Sequence, residues 1–368
     1  MSERPDTNDY LNLFLNDIPM MDVRAPVEFN QGTFPTARNV PILDDKQREQ
    51  IGIQYKQAGQ EEAIKLGLEL ATSEIRQQRF SAWKAFCETH ENGFLYCFRG
   101  GLRSRTTQAW LREQGVHYPL IKGGYKALRR FLIDELQTSI EQVSLIIVSG
   151  LTGSGKTSVL QKIHHHVDLE RLANHRGSAF GRDVFDSQPT AINWENSLSI
   201  ALLKHRFKSP EQTLFVEDEG RLIGRLCLPE TLYQKMLEAP RAILEVDIDT
   251  RVNMILQDYI ASAWPEYQHH YQHTAEQEFS QFVLKNLDRI QKRLGGQKYK
   301  NVRQIFTQAL EQLFTNNETQ TFKQGIQILL QDYYDPMYEY QLKQKQVEIL
   351  FRGNRNDYIE WANNRLEL

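Results

Sequence analysis

The chain has 368 residues, 40% hydrophobic and 25% charged, and 44 lysines and arginines against 47 aspartates and glutamates leave a net charge of −3. This composition is that of a globular protein and excludes a disordered or collagen-like chain, while the length favours two domains. The charge gives no general sign of nucleic-acid binding, although basic side chains cluster locally.

Targeting signals and disulfides are not indicated. The amino-terminal segment lacks a basic start followed by a long apolar run, so no signal peptide is predicted. No stretch reaches the roughly 20 apolar residues of a membrane span. Cys87, Cys97 and Cys227 are too few and too dispersed for a disulfide framework, and without a C-x-x-C pair they do not indicate zinc. We therefore expect a cytoplasmic protein with no membrane partner.

Residues 17–140 alternate short apolar runs with helical patterns, which predicts an α/β domain with a parallel sheet. The expected strands are 19–23, 37–40, 93–97 and 116–121. The expected helices are 61–88, 104–113 and 126–136. We place the boundary near 138–142, which gives a first domain of residues 1–140.

A second α/β pattern begins at 143–148, an apolar run typical of a strand buried on both faces. A glycine-rich turn, a helix at 157–166 and strands at 213–217 and 241–246 follow. From residue 264 onward the pattern is helical and polar, with no clear strand. The prediction is a parallel-sheet domain over 141–265 and a helical carboxyl-terminal extension over 266–368.

The segment G-L-T-G-S-G-K-T at 150–157 matches the phosphate-loop motif G-x-x-x-x-G-K-[ST]. Glycines let backbone N–H groups converge on an anion, and the following helix adds the positive end of its dipole. Lysine supplies a charge to outer phosphate oxygens, and threonine can hold Mg²⁺. The motif predicts a P-loop NTPase-like domain with these binding residues: Gly150, Thr152, Gly153, Ser154, Gly155, Lys156 and Thr157.

Carboxylates follow the strand at 213–217, at the sheet edge where open α/β sheets bind ligands. Glu217 or Glu219 could position Mg²⁺ or act as a base, and an ordinary acidic strand end remains the alternative; the metal stays unassigned. Four arginines could close over the substrate or lie on the surface: Arg176, Arg182, Arg221 and Arg225. The residues 164–166 are three histidines, but consecutive helical residues point about 100° apart and cannot share one metal ion.

Cys97 ends a short strand and precedes a glycine- and arginine-containing loop that opens a helix. Such surroundings favour a reactive thiolate, and Arg99 and Arg103 could hold an oxyanion. For Cys87 and Cys227 we expect buried, inert thiols. This interpretation requires that Cys97 is not sealed in a core and that the amides of 150–157 face an open cavity.

Several segments resemble a rhodanese domain: the D-V-R at 22–24, the run 32–41, the Cys97 loop and the K-G-G-Y at 122–125. A rhodanese-like domain joined to a phosphate loop resembles the tRNA 2-selenouridine synthases, as do the stretches 174–181, 216–219 and 333–338. Cys97 and Arg103 enclose five residues, one more than in typical sulfur-transferring rhodaneses. With Ser104 following, this spacing is that of cysteine phosphatases, although Tyr96 stands where those enzymes usually carry histidine.

This resemblance implies a two-stage reaction on uridine 34 of the tRNAs for lysine, glutamate and glutamine. Geranyl diphosphate alkylates the 2-thio sulfur, and selenophosphate then replaces the alkylated sulfur by selenium. We expect the loop with Lys156 to grip the diphosphate and Cys97 to serve the selenium step. The expected contacts to the tRNA backbone are Lys285, Arg289, Lys292, Arg293, Lys298 and Lys300.

Two other functions remain open at this stage. The first is an ATP-dependent small-molecule kinase fused to a rhodanese-type sulfurtransferase or a cysteine phosphatase, because the loop alone does not specify a nucleotide. The second is a non-catalytic RNA-binding protein. Cys97 and Lys156 argue against the second, since a binding module needs neither group.

Overall fold

A computed structural model describes residues 4–175, 187–345 and 347–365. The chain forms two units, one of residues 1–142 with 189–210 and the other of residues 143–188 with 211–368. The first break lies between residues 142 and 143, directly after the region 138–142 where the sequence placed the boundary. The segment 189–210, which the predicted ranges put in the second domain, instead packs with the first unit.

Strands of the described residues are short and mostly parallel. They are β1 (Met20–Asp22), β2 (Ala37–Asn39), β3 (Phe94–Tyr96), β4 (Leu145–Gly150), β5 (His166–Val167), β6 (Leu214–Glu217), β7 (Leu222–Ile223), β8 (Leu226–Cys227), β9 (Arg241–Leu244) and β10 (Ile349–Gly353).

The helices are α1 (Tyr10–Leu15), α2 (Pro26–Gln31), α3 (Asp45–Leu70), α4 (Ser73–Thr89), α5 (Leu102–Glu113), α6 (Gly124–Gln142), α7 (Lys156–Leu160), α8 (Leu169–Leu172), α9 (Ala191–Lys208), α10 (Glu230–Glu238), α11 (Ile248–Leu256), α12 (Ala263–Tyr271), α13 (Ala275–Leu294), α14 (Gly296–Asn316), α15 (Phe322–Leu329), α16 (Asp335–Lys345) and α17 (Arg355–Asn364). Two π-helical turns, Gln257–Ala261 and Leu330–Tyr334, follow α11 and α15, and a 3₁₀ turn spans Gln272–Thr274.

The sheet of the first unit has the order β2-β1-β3, and both pairings are parallel. All three residues of β1 are buried, as expected for a central strand. The predicted strand 116–121 forms only isolated bridges, such as Leu95 with Leu120. Pro119 supplies no N–H in the middle of that run, so it cannot complete a ladder.

The predicted single helix 61–88 is two helices, and the first begins much earlier, at Asp45. The side chain of Thr72 accepts a hydrogen bond from the backbone N–H of Ile75 at 3.4 Å, which starts α4 anew. Within α3, Gly59 has φ +87°, a non-helical conformation that breaks the helix at that point.

The second unit contains a fully parallel sheet of order β10-β9-β4-β6-β5. Its central strand β4 is buried along its whole length, as the apolar run predicted. The edge strand β10 contradicts the expectation of no strand after residue 264. It is only partly buried and reads I-L-F-R-G, so it carries no long apolar run. The helices α11 to α15 bury a separate apolar cluster centred on Phe279, Phe306 and Phe322.

Two further expectations changed. The helix after the phosphate loop ends at Leu160 rather than near residue 166. His166 lies in β5, so the helical argument about 164–166 does not apply.

Among the residues that the structure describes, no helix is long and apolar enough to cross a membrane.

Candidate functional site

The phosphate loop connects β4 to α7 in the second unit, as the motif predicted. Gly153 and Gly155 have φ of +78° and +77°, which L-residues with side chains rarely adopt. A Cβ atom on Gly155 would also lie 2.4 Å from the Cε of Met254. Both glycines are therefore needed for the path of the turn and for its close packing against α11.

The loop lines an open cavity of about 690 Å³. Six of the seven predicted binding residues line it, so the requirement that the loop face a cavity is met. The exception is Ser154, which is 4% exposed and donates its backbone N–H to the Leu151 carbonyl at 3.1 Å. The six are Gly150, Thr152, Gly153, Gly155, Lys156 and Thr157.

Lys156 holds its ammonium group against the loop itself. Its Nζ donates to the carbonyl oxygen of Gly150 at 2.8 Å and lies 3.4 Å from that of Leu151. These contacts keep the charge at the mouth of the loop. An anion that binds the amides can compete for the same ammonium group without a change of the backbone.

Three carboxylates meet beside the loop: Glu170, Glu217 and Glu219 offer oxygen atoms within 4.8 Å of one another. Glu217 is 1% exposed, and its Oε2 has no hydrogen-bond partner. Burial, and then the charge of Glu170, raises the pKa of Glu217 to about 8 and that of Glu219 to about 9. Carboxylate oxygens beside the Thr157 hydroxyl fit a hard divalent cation such as Mg²⁺, which would favour their ionised forms.

Glu170 was missed by sequence reasoning, because it lies on the short helix α8 and belongs to no motif.

Asp218, which lies between Glu217 and Glu219 in the sequence, has a structural role. Arg241, which is 1% exposed, contacts Asp218 at 2.8 Å, and the Ser149 hydroxyl lies 2.9 Å from the same carboxylate. Glu217 and Glu219 point to the cavity, and Asp218 between them anchors the strand end.

Aromatic and methionine side chains also line the cavity. Both π-helical turns contribute to it, with Tyr259 from the first and Tyr334 from the second. Met254 and Met337 line it as well, and Met254 lies against Gly155 of the loop. Such turns occur often at functional sites. The cavity thus combines the phosphate loop with aromatic and apolar side chains.

In the first unit, the cysteine loop runs from β3 to α5 and packs on the turn at 123–124. The backbone N–H of Tyr125 donates to the Cys97 carbonyl at 2.8 Å. Gly124 has φ +59°, and a Cβ there would lie 2.2 Å from that carbonyl oxygen. The Sγ of Cys97 lies 3.1 Å from the Oγ of Ser104, which in turn lies 3.1 Å from the Gly101 carbonyl.

Cys97 is 3% exposed and packs within the apolar cluster that contains Trp83 and Leu111. The requirement for an open thiol is therefore not met in this conformation. The reason is that the side chain lies within that cluster, with Ser104 beside its sulfur. The exposed side chains of the loop are Phe98 and Arg99, and the Arg99 guanidinium lies 5.9 Å from the Phe98 ring centre.

Arg103 is not aimed at a free anion, because it forms two contacts with the Glu28 carboxylate, at 2.5 and 3.1 Å. Burial alone would raise the pKa of Glu28, but the Arg103 guanidinium lowers it overall. The inert thiol expected at Cys87 is confirmed, since burial raises its pKa to about 12. The same expectation for Cys227 is wrong in one respect, because this cysteine is exposed.

The other predicted contacts lie elsewhere. Arg221 and Arg225 are exposed and do not line the phosphate-loop cavity, and Arg176 and Arg182 lie outside the described residues. The predicted tRNA contacts are all exposed along α13 and the start of α14, and Lys298 pairs with Asp332 at 3.1 Å.

A parallel sheet whose central strand leads through a glycine-rich turn into a helix, below a cavity, defines a P-loop phosphate-binding protein. The family model of the tRNA 2-selenouridine synthase AAA domain matches residues 143–368. The chain is 51% identical to the tRNA 2-selenouridine synthase of Marinobacter nauticus, over 99% of both chains. It is 47% identical to that of Alcanivorax borkumensis, over 98% of this chain and 100% of the relative. It is 45% identical to the tRNA 2-selenouridine synthase of Shewanella oneidensis, over 96% of this chain and 94% of the relative. The chain belongs to the tRNA 2-selenouridine synthase family.

Proposed function

We propose that this protein converts 2-thiouridine to 2-selenouridine at position 34 of tRNAs for lysine, glutamate and glutamine, in the cytoplasm. Its relatives are named for that product on tRNA. We further propose a rhodanese-like first unit for the selenium step and a phosphate-loop unit for geranylation. The observation that carries the geranylation step is the cavity that the phosphate loop lines together with aromatic and methionine side chains.

The charges around this cavity bear on what it can bind. One ammonium group, Lys156, lines the cavity together with the carboxyl groups of Glu170, Glu217, Glu219 and Asp258, while Asp218 is paired with Arg241. In their ionised forms these carboxyl groups would repel a diphosphate unless a divalent cation were bound as well. The proposed ligand is therefore a diphosphate bound together with Mg²⁺. Glu170, Glu219 and the Thr157 hydroxyl would hold the ion, which would offset the charge of the diphosphate.

The side chains of the cavity bear on the choice between a prenyl chain and a nucleoside. Met254, Tyr259, Tyr334 and Met337 provide a hydrophobic and polarisable surface for an isoprenoid chain. These contacts support geranyl diphosphate as the first substrate, with its diphosphate on the loop.

In the first step, the sulfur of the thiouridine forms a bond to C1 of the geranyl group while the C–O bond to diphosphate breaks. The N3 proton of the base leaves, and the loop amides with Lys156 stabilise the charge that develops on the departing diphosphate. Glu217, beside the carboxylates of Glu170 and Glu219, is the candidate to accept that proton.

In the second step, selenium of selenophosphate forms a bond to C2 of the alkylated base, and the C2–S bond breaks. Geranyl thiol leaves with a proton, and water cleaves the P–Se bond to give phosphate and the selenouridine. Cys97 acts in this step, with Ser104 beside its sulfur and Arg99 and Arg103 as candidate oxyanion ligands. Because Cys97 is 3% exposed, the loop must open locally, which would also release Arg103 from Glu28.

The test incubates the protein with 2-thiouridine tRNA, geranyl diphosphate, Mg²⁺ and selenophosphate and analyses the nucleosides by mass. Lys156→Ala should abolish the S-geranyl nucleoside, whereas Lys162→Ala, an exposed lysine just beyond α7, should retain it. Normal geranylation by Lys156→Ala would refute the role of the loop. ATP turnover without tRNA, in place of geranylation, would favour the kinase alternative.

A further inference from the structure

A second apolar cavity lies in the first unit, between α3 and α5. It has a volume of about 260 Å³, and its walls include Ile42, Ile51, Ala63 and Trp110. The walls are almost entirely apolar, so a bound molecule would gain chiefly by leaving water.

This cavity lies beside the cysteine loop. Leu102, Arg103 and Thr106 line it, and all three stand on the first turns of α5, directly after the loop. Ile42 also packs in the same buried cluster as Cys97. The inner wall of the cavity is thus continuous with the packing around the thiol.

Two arginines line this cavity, and both have partners: Arg103 pairs with Glu28, and Arg79 donates to the side chain of Gln47. None of the lining residues is acidic, so the lining does not repel the phosphate backbone of a tRNA that carries an apolar group. The rim is hydrophobic as well: Tyr55, Leu68 and Leu102 are 57%, 49% and 52% exposed. Large exposed apolar groups that gather around a cavity indicate a binding site.

The helix α3 covers this cavity without being firmly packed. Of its 26 residues only Gln47 and Ala63 are buried, and Gly59 interrupts it with φ +87°. Few buried contacts allow local opening at a small cost in free energy. The half of α3 after Gly59 can therefore admit a ligand from solvent.

We propose that this cavity binds the isoprenoid chain of the S-alkylated uridine while selenium is delivered at the cysteine loop. The proposal rests on the two-step function above and adds a second prenyl site, separate from the one at the phosphate loop. Binding of the chain here presents the C2–S bond of the base to the thiol region. After the exchange, the cavity retains the leaving geranyl thiol until it is released.

The experiment starts from tRNA that already carries S-methyl-, S-dimethylallyl- or S-geranyl-2-thiouridine, together with selenophosphate. This bypasses geranylation. We expect kcat/KM for selenation to rise steeply with chain length, since each buried methylene contributes a factor of about four. Equal rates for the methyl and geranyl substrates would overturn the cavity proposal but leave the two-step function intact. No selenouridine from any of them would instead refute the two-step function.

Matched variants on α3 localise the effect. Leu68→Gln makes the rim polar and should flatten the dependence on chain length, mainly through KM. Ile53→Gln, on the same helix, 50% exposed and away from the cavity, should leave that dependence unchanged. Ala63→Phe should fill the cavity, and its thermal unfolding shows whether the fold is kept. The same chain-length dependence in Leu68→Gln as in the unmodified protein would contradict the site.

A binding measurement gives a readout that does not depend on turnover. Geranyl thiol should change the fluorescence of Trp110, which lines the cavity. The fluorescence change should be lost in Trp110→Phe. Leu68→Gln should lower the affinity for geranyl thiol at least tenfold. Unchanged affinity in Leu68→Gln would place the thiol elsewhere and overturn the proposal.

Discussion

The guanidinium of Arg251 forms a two-pronged ion pair with the carboxylate of Asp335, at 3.0 and 2.5 Å. The Nε of the same arginine donates to the Thr152 carbonyl at 2.9 Å, so the pair ties the phosphate loop to the helix that follows the second π turn. Arg251 is 2% exposed. This contact gives a structural reason for an aspartate in the Y-Y-D-P-M-Y stretch at 333–338.

Asp335→Ala should therefore destabilise the protein, because it leaves a buried guanidinium without its partner. We expect a loss of about 3 kcal/mol or more in the free energy of unfolding, measured in urea, together with weaker diphosphate binding. Glu245→Gln breaks the exposed pair with Arg352 and should cost less than about 1 kcal/mol. Equal losses in the two variants would show that the buried pair has no special role.

Stability should fall as pH rises, because of the carboxylate cluster. Burial raises the pKa of Glu217 from 4.5 to about 8, so between these values the folded chain binds more protons than the unfolded chain. The contribution of the protonated form is fully present below about pH 4.5 and is lost as pH rises through about 8. Glu217→Gln should reduce the difference in the free energy of unfolding between pH 5 and pH 9, measured in urea. An unchanged dependence on pH would contradict the raised pKa of Glu217.

Mg²⁺ should reverse that loss, since it favours the ionised carboxylates. We expect Mg²⁺ to raise the melting temperature more at pH 8 than at pH 6, and to release protons on binding. Glu170→Gln should raise the Mg²⁺ concentration needed for this stabilisation at least tenfold. Glu266→Gln, on α12 outside the cavity, is the control. A Mg²⁺ response that is the same in both variants would exclude the cluster as the cation site.

Cys97→Ala should block selenation and spare geranylation, because the two steps are proposed for different units. Thiol labelling tests the required opening of the loop: the exposed Cys227 should react first, and Cys97 more slowly. Glu28→Gln should speed the labelling of Cys97, since it weakens the contact that holds Arg103. Loss of both reactions in Cys97→Ala would indicate misfolding or a shared site.

Exposed basic residues on α13 are predicted to contact the tRNA backbone. Removal of Lys292 and Arg293 should weaken tRNA binding and make the slope of log K against log salt shallower by about 0.7 to 0.9 for each lost phosphate contact. Lys162→Ala serves again as the control. An unchanged slope in the double variant would place the tRNA on another surface.

Local sequence was sufficient where one contiguous segment contains the whole structural reason. The turn at 150–157 needs glycines at positive φ, and these lie within eight successive residues between an apolar strand and a helix. The parallel strands β1, β4, β6 and β9 were predicted for the same reason. Where an element is short and partly exposed, as in β10, the sequence carried too weak a signal.

Contacts between distant residues were decided only by the tertiary structure. No spacing rule brings Glu170 to Glu217, pairs Arg103 with Glu28, or places α9 with the first unit. The burial of Cys97 likewise depends on residues distant in the chain, such as Met21 and Trp83 of the same apolar cluster. The sequence by itself determined the turn of the phosphate loop, since its backbone chemistry is local. The fold decided which side chains around that loop and around Cys97 are buried or paired, because that depends on groups far apart in the chain.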